Sequence, residues 1–236
     1  MNNKQKYHLI SIFLLFISAI HLFFYMQHGT LLCKGINSCW FVIQGGLSLV
    51  FAQKSKISID KHIVCMVLGL FLGMCADVLL SIWFMAGLIV FAFGHVLYII
   101  AFGSLEPFHK RDLWVALPVL CISEYLALIS PFVQVNDLSM KIMVGGYAAI
   151  FSRMVGKAIS NFIVVRSLPR TLVLVGVIMF WFSDVVLVIN MFGSDYLLPG
   201  WLCGVTYWPG QNILAYSLFH HVSTPIPSTV SRHISE

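Results

Sequence analysis

The chain has 236 residues, 59% of them hydrophobic and only 10% charged, with a mean hydropathy of +0.92. A soluble domain carries roughly 25% charged and 45–50% apolar residues, so composition excludes a soluble globular protein and indicates a polytopic membrane protein. The net charge of +5 does not point to a nucleic-acid partner, because the basic residues lie in connecting segments, where they orient membrane proteins.

A span crosses ~30 Å of hydrocarbon at ~1.5 Å per residue, which leaves room for about eight spans joined by short connections. The expected architecture is an all-α membrane protein, a bundle of about eight transmembrane helices. One domain covers 1–222, and 223–236, ending in TPIPSTVSRHISE, forms a short, loosely ordered tail rich in Ser, Thr and Pro.

Residues 1–8, MNNKQKYH, are polar and basic, and a long apolar stretch without a small-x-small cleavage site follows. This reads as an uncleaved first span over 8–25. A second span is expected at 36–53. Cys33 and Cys39 flank its start and could pair if that loop faces an oxidising compartment. The other cysteines (Cys65, Cys75, Cys121, Cys203) sit in apolar segments as small hydrophobes.

The third span, 62–82, places Gly69, Gly73, Asp77 and Ser81 on one helical face, with a GxxxG pair for close approach of a neighbour. The fourth, 85–103, has His95 and Tyr98 three apart on a shared face. The fifth and sixth, 113–130 and 140–160, carry Glu124 and Arg153 inside the membrane, where they would pair or snorkel. The seventh, 170–192, contains Ser183, Asp184 and Asn190. The eighth, 197–219, contains Tyr207, Pro209, Gly210 and Gln211, with a kink expected at Pro209. Trp40, Trp83, Trp114 and Trp201 near span ends suit an interfacial belt.

Lys4, Lys6, Lys54, Lys56, Lys61, Lys110, Arg111, Lys157, Arg166, Arg170 and Arg232 fall on one set of loops or ends, and Lys34 and Lys141 on the other. That bias puts both termini in the cytoplasm. Spans three and seven then run the same way, with Asp77 ~10 Å and Asp184 ~13 Å below the outer surface at the helical rise. A carboxylate in hydrocarbon costs several kcal/mol, so two at similar depth mark a functional pair. His95, Tyr98, Tyr207 and Gln211 come out at depths that let them line one outward-leaning cavity with the aspartates. No second His sits at metal spacing from His95, and His220 and His221 lie at the cytoplasmic end, so no zinc site is expected.

The segments GLFLGMCADVLL, FMAGLIVFAFGHVLYIIAF, FWFSDVVLVINMF and YWPGQNILAYSLF, in this order, resemble the YhhN-like family, whose characterised members are lysoplasmalogenases. The likeness runs from residue 62 through most of the remaining chain. It implies catalytic roles for Asp77 and Asp184, with His95, Tyr98, Ser183, Tyr207 and Gln211 around the substrate. Asn190, off the face of Asp184 near the outer end of its span, is counted with the substrate contacts from its place and otherwise serves as a helix end. Two departures stand out: Ala76 replaces a usual Gly, and Lys34-Gly35 replaces a usual Lys-Pro.

The resemblance implies a lysoplasmalogen or related lysophospholipid as substrate, drawn from the surrounding membrane lipids. Vinyl ether hydrolysis suits two carboxyl groups. One neutral acid protonates the β-carbon, and its ionised partner stabilises the oxocarbenium ion and helps water attack, as in glycoside hydrolysis. No metal or organic cofactor is needed. The competing reading is an ion-coupled transporter or lipid-handling channel using the same acids, although no internal repeat is visible. An intramembrane aspartyl protease is disfavoured because Tyr-Asp and Gly-x-Gly-Asp elements are missing, and a non-catalytic scaffold is the bland alternative. Compact loops lean toward a bacterial cytoplasmic membrane.

Overall fold

The computed structural model describes residues 1–131, 133–193 and 198–224. Its helices are α1 (Asn3–His28), α2 (Leu31–Lys54), α3 (Lys61–Ile82), α4 (Phe84–Leu105), α5 (Lys110–Glu124), α6 (Leu138–Val164), α7 (Leu168–Phe192) and α8 (Gly200–Ser223). A π-helical turn, Tyr125–Ile129, extends α5. The fold is all-α, and the eight expected helices are present, most with longer ends, although α8 begins three residues later than expected. Except for Ser223 and Thr224, the tail expected over 223–236 lies outside the described residues.

Helix starts follow local capping chemistry. The side chains of Thr30, Asp60 and Asp137 accept hydrogen bonds from the backbone N–H groups of Cys33, Ile63 and Met140, meeting donors that a first turn leaves unpaired. Gly29 ends α1 at φ 60°, a left-handed conformation that a side chain would strain.

Seven of the described helices are long and apolar enough to cross a membrane, and the protein is a multi-pass membrane protein. The exception is α8, whose Thr206, Gln211, Asn212, Ser217 and His pair dilute its hydropathy. It packs against α7, α2, α1 and α3, and its polar residues Gln211, Asn212 and Ser217 are buried. A helix enclosed by protein rather than lipid can carry polar groups that neighbours satisfy.

Close backbone approach fixes two helix pairs. A Cβ on Gly69 would stand 2.6 Å from the Tyr98 ring, so α4 fits against the GxxxG face of α3. One on Gly176 would stand 2.8 Å from the Gly210 carbonyl, which joins α7 to α8. The helix α8 continues through Pro209 as one element, and Gly210 lies at this contact with α7.

Several expectations need correction. Cys33 and Cys39 both lie in α2 as free thiols, and six residues of helix separate them by ~9 Å, beyond disulfide reach. Lys157 is not a loop charge. It is buried inside α6, with Nζ 3.0 Å from Asp112 Oδ2 and 2.7 Å from the Pro107 carbonyl. Glu124 and Arg153 form no ion pair among the described residues. Glu124 faces Gly145, and the Arg153 guanidinium lies 5.4 Å from the centre of the Phe108 ring.

Candidate functional site

Asp77 on α3 and Asp184 on α7 line one cavity of about 240 Å³. It lies near the end of the bundle where α1, α3 and α7 finish and α2, α4 and α8 begin. Tyr207, Ser183, Asn190 and Lys34 share its wall. The helical register explains the meeting: each acid sits one to two turns before its helix end, and the close α3–α4 and α7–α8 contacts hold those ends around a common space.

Asp77 is buried, and its Oδ2 accepts two hydrogen bonds, from the Ser38 hydroxyl at 2.5 Å and the Tyr207 hydroxyl at 2.9 Å. The Trp208 indole N–H donates to Ser38 Oγ at 3.1 Å and fixes that hydroxyl for Asp77. Two neighbouring helices, α2 and α8, thus orient one carboxyl group, and no bond to Oδ1 is made among the described residues. Asp184 accepts one hydrogen bond, from the Tyr147 hydroxyl of α6 at 2.5 Å. It also borders narrow apolar clefts walled by Val144, Val188, Trp181 and Phe91. One acid therefore sits among polar donors, and the other stands between the polar cavity and an apolar wall.

Lys34, in the first turn of α2, brings a positive charge to this cavity, and its ammonium donates to Ser81 Oγ at 2.9 Å. Residues 34 and 81 come together only because α2 and α3 pack side by side. The Ser183 hydroxyl lines the cavity but donates back to the Phe180 carbonyl at 2.6 Å. Asn190 lines it too, with Oδ1 lacking a partner among the described residues.

His95, Tyr98 and Gln211 do not reach the cavity. Tyr98 donates to Gln211 Oε1 at 2.9 Å, deep behind Tyr207. His95 is buried in a cage of aromatic rings, with Phe151, Phe180 and Tyr147 centred 4.7, 5.0 and 5.2 Å away. Neither of its ring nitrogens makes a hydrogen bond of good geometry, and its polar contact with the Phe91 carbonyl falls short of one. Helical depth alone had placed these three with the acids. Rotation about each helix axis and the bulk of Phe91 and Phe180 separate them.

The sequence pattern of the YhhN family matches residues 41–218. The chain belongs to the YhhN family. Neither curated proteins nor solved structures give a match to it. The YhhN match includes both aspartates, Tyr147 and Tyr207, whereas Lys34 and Ser38 precede it.

Sequence reasoning missed Ser38, Tyr147 and Trp208. Ser38 follows Lys34 by one helical turn, which puts both on one face of α2 and was a usable signal. Tyr147 stands in the middle of an apolar span rather than at an interface, where tyrosine normally collects.

Proposed function

We propose that this YhhN protein is a membrane hydrolase that cleaves the vinyl ether of a lysoplasmalogen, or of a closely related lysophospholipid, to a fatty aldehyde and a glycerophospho-alcohol. The observation that carries the reading is that Asp77 and Asp184 border one cavity of a size for a small polar group. The family resemblance and the fit of two carboxyl groups to oxocarbenium chemistry support it.

In this mechanism Asp184 is the acid. It gives its proton to the vinyl β-carbon, and the C=C pair forms the new C–H bond. The oxocarbenium ion is left facing Asp77. Two hydroxyl donors on Asp77 Oδ2 suit Asp77 to the anionic role, because a carboxylate accepts hydrogen bonds only. Asp77 then takes a proton from the water that attacks the α-carbon. The hemiacetal collapses to aldehyde and alcohol, and the proton Asp77 took from water passes through solvent to Asp184, which restores both groups. The substrate phosphate lies toward Lys34, and the alkyl chain leaves past Asp184 through the apolar clefts between α6 and α7. Tyr207 and Asn190 contact substrate, Ser183 shapes the wall, and His95, Tyr98 and Gln211 hold the layer behind.

Both termini face the cytoplasm of a bacterial cell in this reading, because the unpaired basic residues cluster at the end of the bundle away from the cavity. The deciding experiment is aldehyde release from vinyl ether, alkyl ether and ester lysolipids by purified protein, with Asp77→Asn and Asp184→Asn alongside. Release from the vinyl ether alone, lost in both variants, is expected. Full activity in either variant would exclude that residue, and no aldehyde release in detergent together with proton-gradient-dependent lysolipid transport in vesicles would favour a transporter.

A further inference from the structure

Far from the aspartate cavity, toward the opposite end of the bundle, α5 and α6 press together at Gly156, where a Cβ would stand 2.6 Å from that of Ala116. Beside this contact lies a groove of about 500 Å³ open to the lipid side. Leu113, Leu117 and Leu120 recur along its α5 wall at i, i+4 and i+7, an apolar track parallel to the helix. Lys110 stands at the end of that track, in the first turn of α5, and Arg153 and Ser152 come from α6.

The polar groups of this groove lack partners. Ser152 is only 1% exposed, and its hydroxyl makes no hydrogen bond among the described residues. Arg153 Nη1 is likewise buried without an acceptor, while the guanidinium rests 5.4 Å from the centre of the Phe108 ring. No acid lines the groove. The nearby carboxylates are committed elsewhere, Asp112 to Lys157 and Ser160, and Glu106 to Arg170. Two cations, Lys110 and Arg153, thus lack a counter-ion among the described residues, while the Gly156–Ala116 contact sets Ser152 level with Leu120, further along the track.

We infer that this groove is a binding site for an anionic phospholipid, whose phosphate is held by Arg153 and Lys110 and whose acyl chain lies along Leu113, Leu117 and Leu120. Guanidinium groups match phosphate oxygens in geometry as well as charge, and basic pockets between membrane helices on the cytoplasmic side bind acidic head groups. A choline head group would bring a third cation to the same place, so phosphatidylglycerol is favoured over phosphatidylcholine. The site is independent of the hydrolase reading and needs no turnover to be seen.

The test is thermal unfolding of the full chain in detergent micelles doped with either lipid, with native mass spectrometry of retained lipid. At roughly ten times Kd, phosphatidylglycerol is expected to raise Tm by about 4 °C, phosphatidylcholine by less, and free glycerol phosphate not at all. The phosphatidylglycerol shift is expected to fall in Lys110→Gln, an exposed position that spares the fold, and to vanish in Lys110→Gln/Arg153→Gln. Equal shifts from both lipids, or an undiminished shift in Lys110→Gln and the double variant, would overturn the site. An equal shift from glycerol phosphate would overturn the lipid as its occupant.

Discussion

Tyr207 and Asp77 are 130 positions apart in the chain, yet the tyrosine hydroxyl donates to Asp77 Oδ2 at 2.9 Å. On the far side of the cavity Tyr147 does the same for Asp184 at 2.5 Å. Each acid therefore has a tyrosine from a different helix fixing its orientation. A hydrogen bond to a charged group contributes about 1.5–3 kcal/mol. If the acids are catalytic, Tyr147→Phe and Tyr207→Phe should each lower kcat roughly 10–100-fold while lowering Tm by about 3–12 °C. Aldehyde release and thermal unfolding measured on the same preparations check this, and unchanged kcat in both variants would deny the acids a role in turnover.

Lys34 gives a prediction that separates binding from chemistry. Its ammonium is placed by Ser81 at the cavity wall, where the phosphate of a lysolipid would lie. Lys34→Gln should raise KM roughly tenfold with kcat little changed, the signature of a lost ground-state contact. With a 1-alkenylglycerol lacking phosphate, parent and variant should have the same KM. A variant that lowers kcat on both substrates would place Lys34 in the chemistry.

The membrane class, the helix number and the paired acids were legible in the sequence because each rests on local pattern. Apolar length marks a span, and a lone carboxylate inside one is conspicuous. Depth along a helix was legible too, since the rise per residue is fixed. Azimuth was not: His95, Tyr98 and Gln211 lie at suitable depths but turn into the layer behind the cavity. Lys157 shows the same limit, because a lysine near a span end reads as a loop charge until Asp112 of another helix is found beside it. Tyr147 and Ser38 gained their meaning only from partners 37 and 39 positions away.

Close packing at glycine sites predicts where small changes are costly. A Cβ at Gly176 would stand 2.8 Å from the Gly210 carbonyl and 2.8 Å from Leu214 Cγ, and backbone cannot yield as a flexible side chain can. Gly176→Ala should destabilise the bundle by about 1–3 kcal/mol, the usual cost of overpacking. Gly46→Ala, with nothing within 4 Å of the added carbon, should match or exceed the parent in Tm. Thermal unfolding in one detergent compares the two, and equal Tm values would refute the α7–α8 contact.

Lys157 and Asp112 form an ion pair whose side chains are 1% and 0% exposed, completed by Ser160, which donates to Asp112, and by Arg111, which donates to Ser160 at 2.9 Å. Removing one member leaves an uncompensated buried charge, at a cost of about 3–5 kcal/mol. Lys157→Met should therefore lower Tm sharply, and Lys157→Met/Asp112→Leu should recover much of the loss because neither charge remains. A double variant no more stable than the single one would show that packing, not charge, holds this corner.

Asp60 supplies a pH-dependent contribution outside the spans. Burial alone would raise its pKa, but the hydrogen bond from His221 Nε2 at 2.9 Å and the one from the Ile63 backbone N–H at 2.9 Å outweigh it and hold the carboxyl below the ordinary range. A group whose folded pKa is depressed contributes stability that is present above its unfolded value and lost as pH falls through the folded one. The unfolded value is about 3.9, so the pair should help at pH 6 and fade below about pH 4. Asn at this position keeps the helix cap and removes the charge. The Tm gap between the parent and Asp60→Asn should therefore be largest near neutral pH, provided His221 remains a donor, and should close in acid. The exposed setting keeps the gap small. A gap that widened on acidification would mean that the His221 contact disfavours the carboxylate, opposite to the geometry at the start of α3.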